Sequence, residues 1–190
     1  RMIELLNHID KKIFYFFNTS VSNPIFDIIM PIITNQDIWT IPLLIFIFYL
    51  AYKGGRTGRL SIVLLVVAVG LSDYVSASIL KPYFERLRPS HANLNEIIIL
   101  MDKGGRYGFV SSHAANIFAA STVLGFFYKK YKMQFLLIAY LISFSRVYVG
   151  VHYPGDVLFG GILGYLLATI TITIYCIVLF SYFRKQVKTN

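Results

Sequence analysis

Three short polar segments hold the residues of this chain that are suited to chemistry. They are residues 81–89 (KPYFERLRP), 109–113 (FVSSH) and 145–156 (SRVYVGVHYPGD). The groups of interest among them are the cations Lys81, Arg88 and Arg146, two histidines, the carboxylate of Asp156 and a serine that precedes an alanine-rich run. This set of groups suits a phosphoryl group, which carries up to two negative charges and needs several cations in a dry pocket.

The cations of these segments differ in what they offer to a phosphate. Arg88 and Arg146 each present a planar fork that binds two oxygens, whereas Lys81 adds a compact point charge. Ser111 stands where the N-cap of a helix is expected, just before the run that begins at His113. The free backbone N–H groups in the first turn of that helix would point at an anion.

Two histidines and a carboxylate can supply the bond-making and proton-transfer chemistry. His152 precedes Asp156 by four residues, and Pro154 is placed to begin a helix. Asp156 in that first turn can reach one imidazole nitrogen and fix the tautomer, which leaves the other nitrogen to attack phosphorus. His113 can then protonate the leaving oxygen.

The rest of the chain predicts a membrane frame for these segments. Of its 190 residues, 56% are hydrophobic and only 14% are charged, with a mean hydropathy of +0.63. Soluble domains carry about 25% charged residues. Several apolar stretches approach the ~20 residues that a helix needs to cross a bilayer. The long apolar stretches are residues 38–52, 60–80, 113–128, 133–145 and 157–183. We therefore predict a single all-α membrane domain over residues 1–190, a polytopic transmembrane helical bundle of five to six spans.

The first 34 residues form a distinct N-terminal part. Residues 3–17 place apolar side chains at helical spacing with charges opposite, which predicts an amphipathic helix lying in the membrane interface. Residues 25–33 are apolar but short, and predict an interfacial, re-entrant or sixth spanning segment. The transmembrane core is then residues 38–183. Charges among the first twelve residues argue against a cleavable secretory signal.

Basic clusters between the apolar stretches indicate the orientation. Clusters at residues 53–59, 129–132 and 184–188 all fall on one side of the predicted bundle, which the positive-inside rule makes cytoplasmic. The three polar segments then face outward. A formal charge of +9 and a pI of about 9.6 accordingly indicate anionic lipids or a phosphorylated substrate as partners, and no nucleic acid.

In these segments the sequence resembles the type 2 phosphatidic acid phosphatase family, whose pattern has three blocks. The first block, a lysine followed after six residues by Arg-Pro, matches at Lys81 and Arg88-Pro89. The third block, Ser-Arg, five residues, His, three residues, Asp, matches at Ser145-Arg146, His152 and Asp156. The second block, Pro-Ser-Gly-His, matches at Ser111 and His113, with Val110 in place of its proline and Ser112 in place of its glycine.

The resemblance implies a metal-independent phosphatase that works through a phosphohistidine and needs no cofactor. It makes His152 the nucleophile, Asp156 its partner and His113 the general acid. It assigns phosphate binding to the set Lys81, Arg88, Ser111, Ser112 and Arg146. The small chain looks like the bacterial lipid phosphatases of that family, with the site facing the periplasm across the inner membrane. Undecaprenyl diphosphate, the 1-phosphate of lipid A, phosphatidylglycerol phosphate and phosphatidic acid all fit as substrates.

Several alternatives remain open at this level. The arginines would also serve as interfacial anchors, and His113, His152 and Asp156 would also serve as metal ligands, although neighbouring cations oppose that. A lipid phosphotransferase would use the same intermediate, and a non-catalytic anion-binding or transport protein would use only the arginines. A haloperoxidase is the weakest alternative, because those relatives are soluble and need vanadate.

Two features inside the apolar stretches also call for explanation. Asp73 lies within a predicted span, where an ionisable residue is costly unless it is paired or faces a wet cavity. Since Asp73, Ala77 and Lys81 follow at four-residue steps, we expect Asp73 to support the site from beneath. Gly160 and Gly164 form a small-residue face that predicts close helix packing.

Overall fold

The chain folds almost entirely into helices in a computed structural model that describes residues 2–189. The side chains of residues 2, 3, 183 and 185–189 lie outside the description, so the predicted roles of Ile3, Lys185 and Lys188 do too. Helix accounts for 81% of the structure, and its described part contains no strand. The eight α-helices are α1 Met2–Tyr15, α2 Pro24–Thr34, α3 Gln36–Lys53, α4 Gly55–Tyr74, α5 Lys81–Phe84, α6 Ser112–Phe127, α7 Lys132–Tyr148 and α8 Pro154–Thr189.

Segments of π-helix and 3-10 helix, whose turns are wider and tighter than those of an α-helix, connect some of these helices. Two π-helical segments, Phe16–Ser20 and Val75–Leu80, follow α1 and α4, so that α4, the second π segment and α5 run on as one rod. Short 3-10 turns lie at Pro89–His91 and Lys129–Tyr131. The remaining polar chain between α5 and α6 is held by an isolated antiparallel bridge between Leu87 and Tyr107.

Local sequence signals explain where several helices begin. The Asn23 side chain accepts hydrogen bonds from the backbone N–H groups of Ile25 and Phe26, and Pro24 occupies the first helical position of α2. Ser111 caps α6, as the sequence predicted, by accepting from the N–H of Ala114 at 3.5 Å. Such caps satisfy donors that would otherwise be unpaired in an apolar environment.

The five apolar stretches all form helices, namely α3, α4, α6, α7 and α8. Within residues 2–189, two helical rods are long and apolar enough to cross a membrane, Gly55–Phe84 and Pro154–Tyr182. The pair α2 and α3 passes the same criteria as one span bent by 51°, which raises the number to three. The structure thus supports an all-helical membrane protein with two to three candidate spans.

Helix α6 lies at the centre and packs against α4, α7 and α8. Its Ala114, Ala115 and Ala119 are completely buried. Gly160 and Gly164 of α8 face this helix so closely that neither has room for a side chain. A Cβ at Gly160 would lie 2.5 Å from the Ser111 carbonyl oxygen, and one at Gly164 would overlap that of Ala115. The predicted close packing is present, and it fixes the start of α6 against the start of α8.

We expect Gly164→Ala to destabilise the protein by about 1–3 kcal/mol, because the new methyl group must push α8 away from α6. Gly70→Ala in α4 is the matched control, since a Cβ there would meet nothing within 4 Å. Thermal unfolding of the two purified variants measures the difference. Equal melting temperatures for both would show that the α6–α8 contact tolerates the change.

Candidate active site

His152 and Asp156 lie together at the junction of α7 and α8. His152 is 1% exposed and Asp156 is fully buried. The His152 Nδ1 atom is 3.4 Å from Asp156 Oδ2, and the same oxygen accepts a hydrogen bond from the Tyr153 backbone N–H at 3.0 Å. This arrangement leaves the other imidazole nitrogen, Nε2, available for chemistry.

The second oxygen of Asp156 pairs with an arginine outside the predicted set. Arg86 Nη1 donates to Asp156 Oδ1 at 2.7 Å. Its other terminal nitrogen, Nη2, donates to Asp10 Oδ2 in α1 at 2.6 Å, and its guanidinium lies 4.4 Å from the centre of the Tyr153 ring. The Asp156 carboxylate is therefore held from several directions.

Arg146, near the end of α7, is one of three cations that lie around this histidine. Its Nη1 donates to Thr34 Oγ1 at 2.9 Å, while its buried Nε has no hydrogen-bond partner within residues 2–189. The backbone oxygen of the same residue accepts from the His152 N–H at 3.2 Å. A buried guanidinium donor without an acceptor is costly, and an oxygen of a bound phosphate is the kind of partner that it lacks.

Arg88 and Lys81 complete the group of cations. Arg88 is 8% exposed, and its Nε donates to the Tyr107 carbonyl at 3.2 Å. Burial is the main reason that the pKa of Arg88 is lowered, with Asp156 acting in the opposite direction. Lys81 Nζ donates to Ser112 Oγ at 2.6 Å, in the first turn of α6.

The π-helical segment before Lys81 sets where this lysine lies. Its wider turn shifts the following residues around the helix axis relative to a continuous α-helix, a feature that is frequent at functional sites. Ser76 in that segment shares a hydrogen bond of 2.9 Å with Ser112 Oγ, the atom that Lys81 also contacts. Ser76 and Lys81 thus both connect this rod to the first turn of α6.

His113, the predicted general acid, follows Ser112 in α6. It lies within electrostatic range of His152, Arg146, Arg88 and Lys81. The structure therefore brings all the predicted site residues to one end of the bundle, around His152. Ser111 contributes the cap of α6 at the same place.

The buried histidine is surrounded by positive charge. The pKa of His152 is lowered well below 6.5, first because burial disfavours the imidazolium and then because Arg88, Arg146 and Lys81 repel it; the Gly108 backbone acts in the opposite direction. The imidazole is therefore neutral near neutral pH. A neutral imidazole has the free electron pair that a nucleophile requires.

This lowered pKa predicts that acid destabilises the protein. Below pH 6.5 the unfolded chain takes up a proton at His152 that the folded chain does not bind, so stability is full above this pH and falls beneath it. The slope reaches about 1.4 kcal/mol per pH unit for one such group. We expect His152→Gln to lose less stability than the wild type between pH 7 and pH 5 in thermal unfolding. Parallel pH dependence of the two proteins would contradict this.

Asp73 lies within electrostatic range of Lys81 and also contacts α6. Its Oδ1 accepts a hydrogen bond from Asn116 Nδ2 at 2.9 Å, one helical turn after Ser112 in α6. Asp73 and Lys81 are eight residues apart, and the π-helical segment Val75–Leu80 between them breaks the two regular four-residue steps that would stack their side chains on an α-helix. Support of the site by Asp73 remains a prediction, with α6 as its route.

For Asp73→Asn we expect a fall in kcat of up to about tenfold, equivalent to about 1.4 kcal/mol in the barrier. The neutral amide makes a weaker bond to Asn116, which loosens the first turns of α6. Steady-state kinetics and thermal unfolding measure the effect. Unchanged turnover together with unchanged stability would refute a supporting role.

Sequence reasoning missed several residues that hold the site together. Arg86 is separated from Arg88 by one residue, a spacing that could have drawn attention to it. Asp10, Ser76 and Thr34 carry no local signal, since each reaches the site only through tertiary packing. No group of three or more histidine, cysteine or acidic side chains that would suit a metal ion occurs among the described residues.

The structure is that of an all-helical membrane protein with a buried histidine among cations at one end of the bundle. The profile of the PAP2 superfamily matches residues 61–181, and the chain belongs to this superfamily. It is 32% identical over 171 residues to a lipid A 4′-phosphatase of Bacteroides thetaiotaomicron, covering 86% of this chain and 75% of the relative.

Two further similarities agree with this assignment. A lipid A 4′-phosphatase of Porphyromonas gingivalis is 28% identical over 179 residues, which cover 91% of this chain and 75% of that one. The crystal structure of Aquifex aeolicus LpxE superposes with a TM-score of 0.71 at 28% identity, covering 85% of this chain and 93% of that one. The chain is a membrane lipid phosphatase, a hydrolase of phosphoester bonds.

Proposed function

We propose that this phosphatase removes a phosphate group from a lipid A-type glycolipid at the outer face of the bacterial inner membrane, through a phosphohistidine at His152. One observation carries the proposal: His152 is buried beside Asp156 and within range of Lys81, Arg88 and Arg146. Buried like charges repel one another, and a bound phosphate would relieve that repulsion.

The arrangement supports a reaction in two steps. His152 Nε2 attacks phosphorus, the bond to the lipid oxygen breaks, and His113 donates its proton to that oxygen, so that the lipid leaves as an alcohol. His113, now neutral, takes a proton from water, whose oxygen attacks the phosphohistidine. Inorganic phosphate leaves and His152 is regenerated. Asp156 holds the imidazole and stabilises its positive charge.

The proposed reaction needs no metal ion. Lys81, Arg88 and Arg146 would neutralise the phosphoryl oxygens, as a divalent ion does in other phosphatases. Backbone N–H groups at the start of α6, with Ser111 and Ser112, would bind the remaining oxygens. Resistance of phosphate release to a chelator tests this part of the proposal.

The membrane arrangement that we propose has five spans, with α2 and α3 as one bent segment and α1 in the outer interface. The hydrogen bond between Ser76 and Ser112 puts the end of α4 beside the start of α6. Basic residues 53–59 and 129–132 then lie at the opposite end of the bundle, which supports a cytoplasmic position for them. We treat residues 1–190 as one domain with its site at the outer end.

Lipid A is the substrate class that we place first. Both relatives reported above are named lipid A 4′-phosphatases, so we favour the 4′-phosphate of lipid A over its 1-phosphate as the group removed. A single phosphate on a lipid with several acyl chains suits a site that opens beside membrane helices. Undecaprenyl diphosphate is the comparison substrate.

The decisive experiment measures phosphate release by purified protein in detergent with a chelator present. Lipid A bearing only the 4′-phosphate, lipid A bearing only the 1-phosphate, and undecaprenyl diphosphate are compared. We expect release from lipid A that is lost in His152→Ala and kept in His8→Ala, a matched change at an exposed histidine. Faster release from undecaprenyl diphosphate would overturn the substrate assignment. Transfer of phosphate to another lipid in place of release would identify a phosphotransferase.

A further inference from the structure

Asp10 of the N-terminal helix lies against the proposed catalytic residues although it belongs to no motif. Its Oδ2 accepts from Arg86 Nη2 at 2.6 Å, and its Oδ1 accepts from the Gly155 backbone N–H at 2.7 Å. Gly155 immediately precedes Asp156 in the first turn of α8. A Cβ at Gly155 would lie 2.8 Å from Asp10 Oδ2, so this approach requires a glycine.

Arg86 joins the two carboxylates in one rigid unit. Its two terminal nitrogens are divided between Asp10 and Asp156, at 2.6 and 2.7 Å. A planar guanidinium held at both ends cannot rotate without breaking one of these bonds. Burial lowers the pKa of Arg86, but Asp156 and Asp10 more than reverse this and raise it, so the group stays charged.

Contacts other than those of Asp10 also attach α1 to the bundle. Phe14 in the same helix is fully buried and packs edge-to-face on Tyr153 at 5.5 Å. Asn18, in the π segment that follows α1, makes bonds of 2.7 and 2.8 Å to the backbone oxygens of Ile98 and Tyr148. Since these contacts already anchor the helix, the Asp10 carboxylate has a more specific effect on the groups that it touches.

We propose that Asp10 is a positioning residue for catalysis, which acts through Arg86 and the Gly155 N–H to keep Asp156 Oδ2 directed at His152 Nδ1. This inference rests on the proposed roles of His152 and Asp156. Without the Asp10 charge, Arg86 has one strong partner in place of two, and the guanidinium can turn and draw Asp156 with it. The lipid phosphate contacts none of these atoms in the proposed mechanism, so the effect falls on the chemical step.

Asp10→Asn tests this, because the amide keeps an acceptor for the Gly155 N–H and removes the negative charge that faces Arg86. We expect kcat to fall about 10- to 100-fold, by analogy with the loss of groups that orient metal-binding histidines, with KM within about twofold of the wild type. Asp10→Glu, which restores the charge, is expected to recover most of the loss. Asp37→Asn, at an exposed aspartate in the first turn of α3, is the matched control.

A kcat of Asp10→Asn equal to that of Asp37→Asn would overturn the inference. The inference would also be overturned if the loss of kcat matched the fraction of unfolded protein in thermal scans and Asp10→Glu did not reverse it. That pattern would indicate a purely structural role. Arg86→Lys provides a second variant, since a single ammonium cannot reproduce the fork, and it is expected to behave like Asp10→Asn. Failure of the proposed function is recognised separately, by wild-type protein that releases no phosphate or by His152→Ala that still does.

Discussion

Replacement of His152 by alanine is expected to lower phosphate release by at least about 10⁴-fold and to abolish any covalent phosphoenzyme. In the proposed mechanism His152 Nε2 is the atom that carries the phosphoryl group, and losses of this size are typical when a nucleophile is removed. His113→Asn is expected to behave differently. It leaves the nucleophile intact and removes the proton donor and, in the second step, the base.

A substrate with a good leaving group separates these two roles. With p-nitrophenyl phosphate, which needs no protonation of its leaving oxygen, His113→Asn is expected to form the phosphohistidine and then hydrolyse it slowly. Rapid quenching followed by measurement of acid-labile, alkali-stable protein phosphate detects this intermediate. We expect a burst of nitrophenol close to one equivalent in His113→Asn and none in His152→Ala.

The opposite pattern of labelling would exchange the roles assigned to His152 and His113. Labelled phosphate retained by His152→Ala and absent from His113→Asn would make His113 the nucleophile. Absence of label from every variant, in protein that turns over, would favour direct attack by water. His8→Ala, which should match the wild type, controls for loss of a histidine as such.

Asp156→Asn is expected to lower kcat about 10³- to 10⁴-fold while KM changes little, the pattern seen when an aspartate that orients a catalytic histidine becomes an asparagine. Asp156 accepts from the Tyr153 N–H, pairs with Arg86 and faces His152 Nδ1. An amide has one oxygen in place of two, so at least one of these three donors would meet an NH₂ group. Either the imidazole of His152 is no longer held in the tautomer with its proton on Nδ1, or a buried donor is left without an acceptor.

The free energy of unfolding of Asp156→Asn distinguishes a change of tautomer from an unpaired buried donor. A buried donor left without an acceptor costs about 1–3 kcal/mol, and thermal unfolding would detect it. The fall in kcat should nevertheless exceed the one predicted for Asp10→Asn by an order of magnitude or more, because Asp156 faces the imidazole directly. Asp156→Asn protein that retains a tenth or more of wild-type kcat would contradict the role of Asp156 in holding His152.

Much of this architecture was readable from the sequence because it depends on neighbours along the chain. The apolar stretches predicted five helices, and each is present, since an apolar stretch in a membrane frame must satisfy its backbone hydrogen bonds internally. Ser111 and Pro154 mark the starts of α6 and α8 as expected. The four-residue step from His152 to Asp156 likewise brings both side chains to one helix start.

The number of spans stays a prediction. Apolar length alone suggested five or six crossings, whereas two rods and one bent pair meet the length and hydropathy criteria. Helices α6 and α7 have 16 and 17 residues. Because α6 is largely enclosed by neighbouring helices, its apolar side chains pack against protein, and its apolar composition does not by itself indicate contact with lipid.

The sequence by itself determined the helical frame, the helix starts and the residue types of the site, because caps, apolar periodicity and short spacings act within a few residues. Tertiary structure alone decided which distant groups complete the site. Asp10 meets Arg86 and Gly155 across 76 and 145 residues of chain, and Arg146 meets Thr34 across 112. Ser76 and Lys81 likewise meet Ser112 across 36 and 31 residues. Such contacts arise from the packing of helices, and no local pattern encodes them.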